Sequence, residues 1–312
     1  MMKILVAGEL NADLVMSGLP SLPVLGRELT GQDFRMVMGS SSAITAARLA
    51  ALGAAVDFVG LIGKDDIGRF VLHELAGFGV GTAAVQVVEA VTGVTIVLTY
   101  SSDRAMLTFP GTMAEFDGKG ITREMLGEYR HLHVGSFFLQ TGLQPRLPEL
   151  FAAAHDMGLT TSLDVGWDPT ESWLKNPYLA PTLAVTDYFF PNQDETTALL
   201  AGEQRPEKLA ALVGGTLLVK RGAQGAAAYR ASGLIASAPA LPVQVVDTTG
   251  AGDAFNAGFL YATCVRGASM QDALRFAVAC GSQAVTRVGG ATDSPDAAAI
   301  DALLAAQNGG TV

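Results

Sequence analysis

The string Gly250-Ala251-Gly252-Asp253 carries the strongest chemical signal in this chain. Two glycines flanking one small residue leave the backbone bare, so that its N–H groups can come close to an anion. An apolar, β-favouring run precedes the string, and apolar residues at helical spacing follow it from Phe255 to Val265. The expected context is strand, glycine-rich turn, helix N-terminus, with the positive end of the helix dipole added to the amides. A carboxylate within such a cradle is out of place unless it has work to do. Asp253 makes chemical sense as the base that takes a proton from a hydroxyl attacking the bound anion. On spacing alone, the same string also serves as a tight connection with an aspartate cap. Both readings stand at this level.

The elements that must position these residues read as alternating strands and helices. Lys3 to Leu10 is a first strand, ending in Gly8-Glu9-Leu10-Asn11-Ala12-Asp13. Ligand groups of open α/β sheets sit at the carboxyl ends of strands, which makes Asn11 and Asp13 candidates for hydrogen bonds to a polyol. Gly39-Ser40-Ser41-Ser42 then reads as a turn with an N-cap serine before an Ala-rich helix, Ala43 to Gly53. Ala55 to Gly63 is a buried strand. Further strands are expected at His131–Phe137, Leu159–Val165, Val185–Phe190 and Thr216–Val219, with helices such as Leu147–Asp156 and Asp194–Ala201 between them. This predicts an α/β fold with a central, mostly parallel sheet and helices on both faces. Two stretches break the alternation. Residues 14–38 are rich in Pro, Gly and mixed polar residues, and Val91 to Phe109 reads as a hairpin turning at Ser101-Ser102-Asp103. They predict a small accessory sheet, from roughly 14–38 and 91–110, on a single domain of residues 1–312.

Other strings could carry chemistry. Asp164 ends a strand. Pro191-Asn192-Gln193-Asp194-Glu195 follows an apolar strand and opens a helix, where acids are favourable in any case. Lys220 and Arg221 are adjacent cations on a strand, so they point to opposite faces, and Gly222 and Gly225 form the turn that follows.

Asp247-Thr248-Thr249-Gly250-Ala251-Gly252-Asp253-Ala254-Phe255 resembles, nearly residue for residue, the C-terminal signature of the ribokinase-like (PfkB) carbohydrate kinases. Gly39 to Gly68 resembles their N-terminal signature, with departures. Ser40 stands where many members have a second glycine, and Ile44 stands where they have an asparagine. The resemblance implies an ATP- and Mg²⁺-dependent kinase acting on a hydroxyl of a small sugar or sugar derivative. Asp253 would be its general base, the N–H groups of Ala251, Gly252 and Asp253 would hold the developing charge, and Gly250 would complete the catalytic turn. It places the acceptor on Asn11, Asp13, Gly39, Ser40, Ser41 and Asp253, and the nucleotide on Asn192, Lys220, Gly222, Gly225 and Gly252. Glu195 would order water around magnesium. Asp247 and Thr249, with the segment 284–290, would hold a monovalent cation such as K⁺. The β segments would form a lid over the acceptor that also joins two subunits as a homodimer. A nucleoside kinase of the same fold, or a sugar- or nucleotide-binding sensor without activity, are the alternatives. The base and the glycine turn are both intact, which favours the enzyme. Gln140, beyond the strand at 131–137, is one further candidate for an acceptor contact.

Composition excludes other classes. A hydrophobic fraction of 49% with 16% charged residues is that of a globular chain. A net charge of -10 argues against nucleic acid as a partner, because phosphate backbones need clustered Lys and Arg. No apolar run is long enough to span a bilayer, and the N-terminus reads as a strand, not a signal peptide, so a cytoplasmic protein is expected. Cys264 and Cys280 lie in apolar helical runs and read as buried free thiols; His131 and His133 read as structural. There is no Walker A string and no GxGxxG opening.

Overall fold

The computed structural model describes residues 3–100, 104–287, 289–291 and 294–308. Strands are numbered in chain order. The main sheet holds β1 (Lys3–Gly8), β4 (Ala55–Gly63), β5 (Gly81–Val88), β8 (His131–Val134), β9 (Thr160–Leu163), β10 (Tyr188–Phe189), β11 (Thr216–Lys220), β12 (Ala226–Arg230) and β13 (Gly233–Ala238). Their order is β13-β12-β11-β10-β9-β8-β1-β4-β5. Pairing is parallel from β5 to β11 and antiparallel only for β12 and β13 at one edge.

The central strands are buried on both faces. Ile4 and Val6 of β1 feed one core, and Leu5 and Ala7 feed the other. The first core is roofed by helices Ser41–Ala51, Asp66–Gly77, Ala251–Leu260 and Met270–Ala284, the second by Leu147–Asp156 and its neighbours. Period-2 alternation therefore distributes apolar side chains to two layers, as a doubly covered parallel sheet demands.

The smaller sheet has β2 (Asn11–Ser17), β3 (Asp33–Met38), β6 (Gly93–Thr99) and β7 (Arg104–Phe109), in the order β3-β2-β6-β7. It begins three residues earlier than expected. Asn11 and Asp13 are thus not in a loop at the end of β1 but on the first strand of the accessory sheet. The hairpin turn expected at Ser101-Ser102-Asp103 lies outside the described residues.

Register gives the small sheet two distinct faces. Asp13, Thr95, Thr108 and Arg104 share one face, where Asn11 Nδ2 donates to Thr95 Oγ1 (3.1 Å) and Thr95 and Thr108 hydroxyls pair (3.1 Å). The opposite face is apolar: Met36, Leu14, Ile96 and Leu107 form one cross-strand row. Met36, Ile96 and Leu107 of that row are exposed, as are Phe34 and Phe109 beside it.

One expected strand is absent. The apolar stretch before Asp247 does not join a sheet; Pro239 and Pro242 cannot donate to a ladder, and Val245 and Val246 lie exposed. Val246 and Asp247 N–H instead both donate to the Val285 carbonyl, at 2.7 and 3.2 Å. Beyond Leu260 the following helix widens into a π-helical turn, Tyr261–Val265. Among the described residues, no helix is long and apolar enough to cross a membrane.

Candidate active site

The carboxyl ends of β1, β8, β9, β10 and β11 converge on one edge of the main sheet. From them come Glu9, Gly135, Asp164, Asn192 and Lys220. Helix Ala251–Leu260 starts above this edge. Gly250 is its N-cap, with φ +72°, and no side chain caps that end. A helix start leaves its first N–H groups without intrahelical partners. Ala251 N–H turns back to the Thr248 carbonyl (3.3 Å), so the amides that best fit an anion are those of Gly252 and Asp253. The expected contribution of Ala251 is reduced accordingly.

The surroundings require the first glycine of the turn and crowd the second only through a flexible side chain. A Cβ on Gly250 would lie 2.6 Å from the Gly290 carbonyl oxygen, in addition to the strain of a positive φ. A Cβ on Gly252 would lie 3.3 Å from Lys220 Nζ. That short approach places the lysine beside the anion turn. Arg221 points elsewhere, toward the carbonyls of Gln224 and Ala226, as adjacent residues of a strand must.

Asp253 accepts a hydrogen bond from Ser41 Oγ at 2.6 Å. Burial, reinforced by the Asp164 charge, raises its pKa to about 7. Such a carboxyl is poised to exchange a proton near neutrality. Ser41 belongs to the turn that also meets the acceptor candidates. Gly39 lies so close to them that a Cβ there would be 2.2 Å from Asp13 Oδ1 and 2.8 Å from Asn11 Nδ2. The turn 39–41 therefore bridges two carboxylates, Asp13 at one end and Asp253 at the other. Burial raises the Asp13 pKa to about 6, against the opposing effects of Asn11 and Arg104.

Ser40 explains how this chain dispenses with a second glycine. It adopts φ +72°, a left-handed conformation that is costly for a side chain. Two hydrogen bonds hold it there: its hydroxyl donates to the Glu9 carbonyl (2.6 Å) and accepts from Ala43 N–H (2.9 Å). Ile44 packs against Gly290, where a Cβ would sit 2.5 Å from its Cδ1. It helps seat the segment that backs the anion turn.

Lys220 Nζ is paired with Asp164 Oδ2 at 2.6 Å, and Asn256 Nδ2 donates to the same oxygen at 2.6 Å. Burial opposes both charges of the pair, but their mutual attraction wins: Asp164 is held low and Lys220 high. Asn192 and Glu195 form a capping box on helix Gln193–Leu199. Glu195 N–H donates to Asn192 Oδ1 and Asn192 N–H to Glu195 Oε2, each at 2.8 Å. Glu195 is buried, and burial and Asp164 push its pKa up to about 7. Gly222 and Gly225, both at positive φ, close the β11–β12 turn; Gly225 is pressed onto the Ala238 carbonyl, which would lie 2.0 Å from a Cβ. Asp247 accepts from Thr249 N–H (2.9 Å), Thr249 Oγ1 (2.7 Å) and Gly289 N–H (3.0 Å), binding the anion turn to the 284–290 segment.

Several participants escape a reading of the sequence. Glu9 is fully buried and accepts from Ser42 N–H (3.1 Å), Ser42 Oγ (2.5 Å) and Gln140 Nε2 (3.1 Å). It anchors the start of helix Ser41–Ala51, on which Ser41 approaches Asp253. Arg48, also buried, donates from Nε to the Gly290 carbonyl at 2.8 Å. Helical spacing offers a signal for two of these: Arg48 lies two turns from Ser41, and Asn256 one turn from Asp253.

No group of three or more His, Cys, Asp or Glu side chains among the described residues could hold a metal ion. Magnesium bound mostly through phosphates and water needs no such group, and the buried Glu195 fits an outer-shell part. Cys264 and Cys280 are free thiols, as expected, but only Cys280 is buried and Cys264 is partly exposed; His131 and His133 are buried beneath the site, bonded to Thr160 and Ser162.

Known proteins resemble the chain over nearly its whole length. Residues 1–297 match the family model described as pfkB family carbohydrate kinase. An ATP-dependent ribose-1-phosphate kinase of Halopiger xanaduensis is 30% identical, covering 97% of this chain and 98% of its own. A ribokinase of Haemophilus influenzae is 29% identical over 93% and 94%. Among solved structures, the Arabidopsis thaliana ribokinase complexed with ribose and ATP superposes with a TM-score of 0.81 at 27% identity, covering 97% of this chain and 99% of that one. With its nine-stranded sheet, its small second sheet and its glycine turn, the chain belongs to the pfkB family of carbohydrate kinases.

Proposed function

We propose that Asp253 is the general base of an ATP-dependent transfer to a hydroxyl of a small sugar or sugar derivative. The observation that carries this reading is the turn 39–41, which touches Asp13 and Asn11 at one end and Asp253 at the other. An acceptor whose ring hydroxyls bond to Asn11 and Asp13 then has a further hydroxyl directed at Asp253. Asp253 removes the proton as that oxygen attacks the γ-phosphorus, and the bond to the β-phosphate oxygen breaks to release ADP. The amides of Gly252 and Asp253 support the charge that develops on the transferred group. Lys220, beside the same turn, and Asn192 face the nucleotide phosphates, with Gly222 and Gly225 shaping the wall of the nucleotide groove. Mg²⁺, when bound, would offset the phosphate charge, and Glu195 would order its water. A monovalent cation such as K⁺ would be held at Asp247, Thr249 and the 284–290 segment; the hydrogen bonds of Asp247 already fix that loop against that segment.

The acceptor is a free sugar or a sugar derivative such as a sugar phosphate. Relatives named for ribose, ribose 1-phosphate and fructoselysine all lie within the range of this similarity. The test is an ADP-release assay with Mg·ATP across ribose, ribose 1-phosphate, fructose, sugar acids and nucleosides. Transfer to at least one sugar, abolished in Asp253→Asn, is expected. Preferential transfer to nucleosides would move the chain to the nucleoside-kinase alternative. Binding of sugar and ATP without turnover would make it a sensor. The small sheet closes over the acceptor and excludes water, and its apolar outer face joins two copies as a homodimer.

A further inference from the structure

Helix Ser41–Ala51 turns one stripe toward the anion turn: Ser41, Ile44 and Arg48, at spacings of three and four residues. Ser41 Oγ donates to Asp253, Ile44 packs on Gly290, and Arg48 Nε donates to the Gly290 carbonyl at 2.8 Å. Gly290 is the residue pressed against Gly250. Arg48 also lines a small cavity together with Ala254, the residue after Asp253, and with Cys280 and Ser294. The guanidinium is therefore seated behind the turn, fixed by the same segment that backs it. We propose that Arg48 is a positioning residue for the base, the fixed counter-charge that holds the Asp253 carboxylate ready to take a proton.

Three features support this, and the inference rests on the kinase reading given above. The first is burial. Arg48 is 5% exposed, on a helix whose other buried positions include Ala43, Ala46, Ala47 and Leu49. Among the described residues, no carboxylate forms an ion pair with it. A buried cation without a paired acid costs stability, and packing alone would be served by Ala or Leu. Chains break such local rules where function demands it. The second is charge. Burial pulls the Arg48 pKa down, and the charge of Asp253, followed by Cys280, opposes that pull. Asp253 is itself faced by the acids Asp164, Glu9 and Glu195, by the Ser41 hydroxyl and by Lys220. Lys220 is engaged by Asp164, so it offsets Asp253 only in part. The third is side. Lys220 stands beside Gly252, and Arg104 of β7 donates to Thr249 Oγ1 at 2.9 Å. Arg48 instead belongs to a helix of the main body and is anchored on a backbone carbonyl. It acts on Asp253 from behind and takes no space that an acceptor or a phosphate would need.

The experiment follows kcat/KM against pH for the full-length protein with the sugar that it phosphorylates best. Wild type, Arg48→Met, Arg48→Gln and Arg48→Lys are compared, with the midpoint of unfolding measured alongside. Arg48→Met keeps most of the apolar stem and removes the charge, and Arg48→Gln also keeps a donor for the Gly290 carbonyl. In both, the rise of kcat/KM should move about one pH unit to the alkaline side. The rate should then lie about tenfold below wild type at about pH 6.5 and within about threefold of it at about pH 9. Arg48→Lys retains the charge and should keep the rise within about 0.3 pH unit of wild type. The unfolding midpoint of Arg48→Met should stay within about 3 °C of wild type, because the lost bond to Gly290 is offset by removal of a buried charge. A rise that does not move in Arg48→Met or Arg48→Gln overturns the proposal. So does a rise that moves as far in Arg48→Lys as in Arg48→Met. An equal loss of rate at every pH, with a lower midpoint, would make Arg48 a structural clamp and overturn it as well. A wild-type protein with no transfer to any sugar would defeat the kinase reading itself; normal wild-type turnover with an unmoved profile in Arg48→Met would defeat this inference alone.

Discussion

Asp253 ties the chemistry to pH. Its pKa of about 7 arises mainly from burial, with the Asp164 charge adding to it. On the reading proposed above, Asp253 acts as base only when ionised, so kcat/KM should rise with pH through about 7 and level off above it. Below that point the rate should fall about tenfold per pH unit. A profile flat from pH 5.5 to 8 would remove Asp253 from the role of base. The same shift has a consequence for stability. A carboxyl whose pKa is higher in the fold than in the unfolded chain stabilises the fold while protonated. That contribution is complete below about pH 4 and is lost as pH rises through 7. Asp253→Asn removes the ionisable group. At pH 8 it should therefore melt higher than wild type, by roughly 2–5 °C, while losing about 10²–10⁴-fold in rate. The gain in melting temperature should vanish at pH 4. Differential scanning calorimetry at the two pH values reads the first effect, and the coupled assay reads the second. A variant that is inactive and also destabilised at pH 8 would point to a structural part for the carboxylate.

At the scale of elements, the anion turn is a strand-independent structure. It is held from behind by the 284–290 segment, through Val285, Gly289 and Gly290. The two glycines should respond differently to a methyl group. Gly250→Ala faces both positive φ and a backbone carbonyl that cannot yield, so it should cost roughly 1–3 kcal/mol and most of the activity. Gly252→Ala meets only the end of a flexible lysine at 3.3 Å, so it should fold like wild type and chiefly raise the KM for ATP. Urea melts and steady-state kinetics of both variants test the contrast; equal behaviour would mean that the Gly290 contact does not constrain the turn. This part of the molecule shows how far the sequence could be read. The helix starting at Ala251 and the parallel strands were legible because periodicity and glycine placement are local signals. The helix Leu147–Asp156 and strand Ala55–Gly63 fall where those signals put them. The strand expected before Asp247 was not legible as a loop, because apolar valines there look the same whether they pair in a sheet or lie on the surface. Glu9 was passed over for a related reason. A single acid after an apolar strand looks like a solvated end, and only the tertiary fold brings Ser42 and Gln140 to it. Asn192 and Glu195 showed the opposite ambiguity: their spacing fits a capping box and a phosphate motif alike, and the structure displays the capping box.

At the scale of the whole molecule, the small sheet poses a problem that a single copy of the chain does not solve. Its inner face spends its polar groups on the site: Asn11, Asp13, Thr95, Thr108 and Arg104. Its outer face carries Phe34, Met36, Ile96, Leu107 and Phe109, all exposed in the monomer. Contiguous exposed apolar surface of this kind marks an interaction site. An acceptor held at Asn11 and Asp13, as proposed above, would lie on the other side of the sheet and leave this face uncovered. Burial of the face against a second copy, outer face to outer face, satisfies both sides of the sheet at once. A two-fold pairing needs no residue beyond those already present, since each row meets its own counterpart. The chain is therefore expected to sediment as a dimer at micromolar concentration. Ile96→Asp or Leu107→Asp, each placing a charge in the Met36-Leu14-Ile96-Leu107 row, should shift it to monomer. Their effect on catalysis discriminates between two uses of the interface. If the partner serves only to cover apolar surface, the monomeric variants keep the kcat of wild type. If it holds the small sheet at the angle from which Arg104 reaches Thr249, kcat falls with dissociation and recovers as protein concentration rises. Sedimentation velocity run alongside the coupled assay over the same concentration series separates the two. A wild-type protein that is monomeric throughout that series would leave the outer face without this partner and sink the pairing.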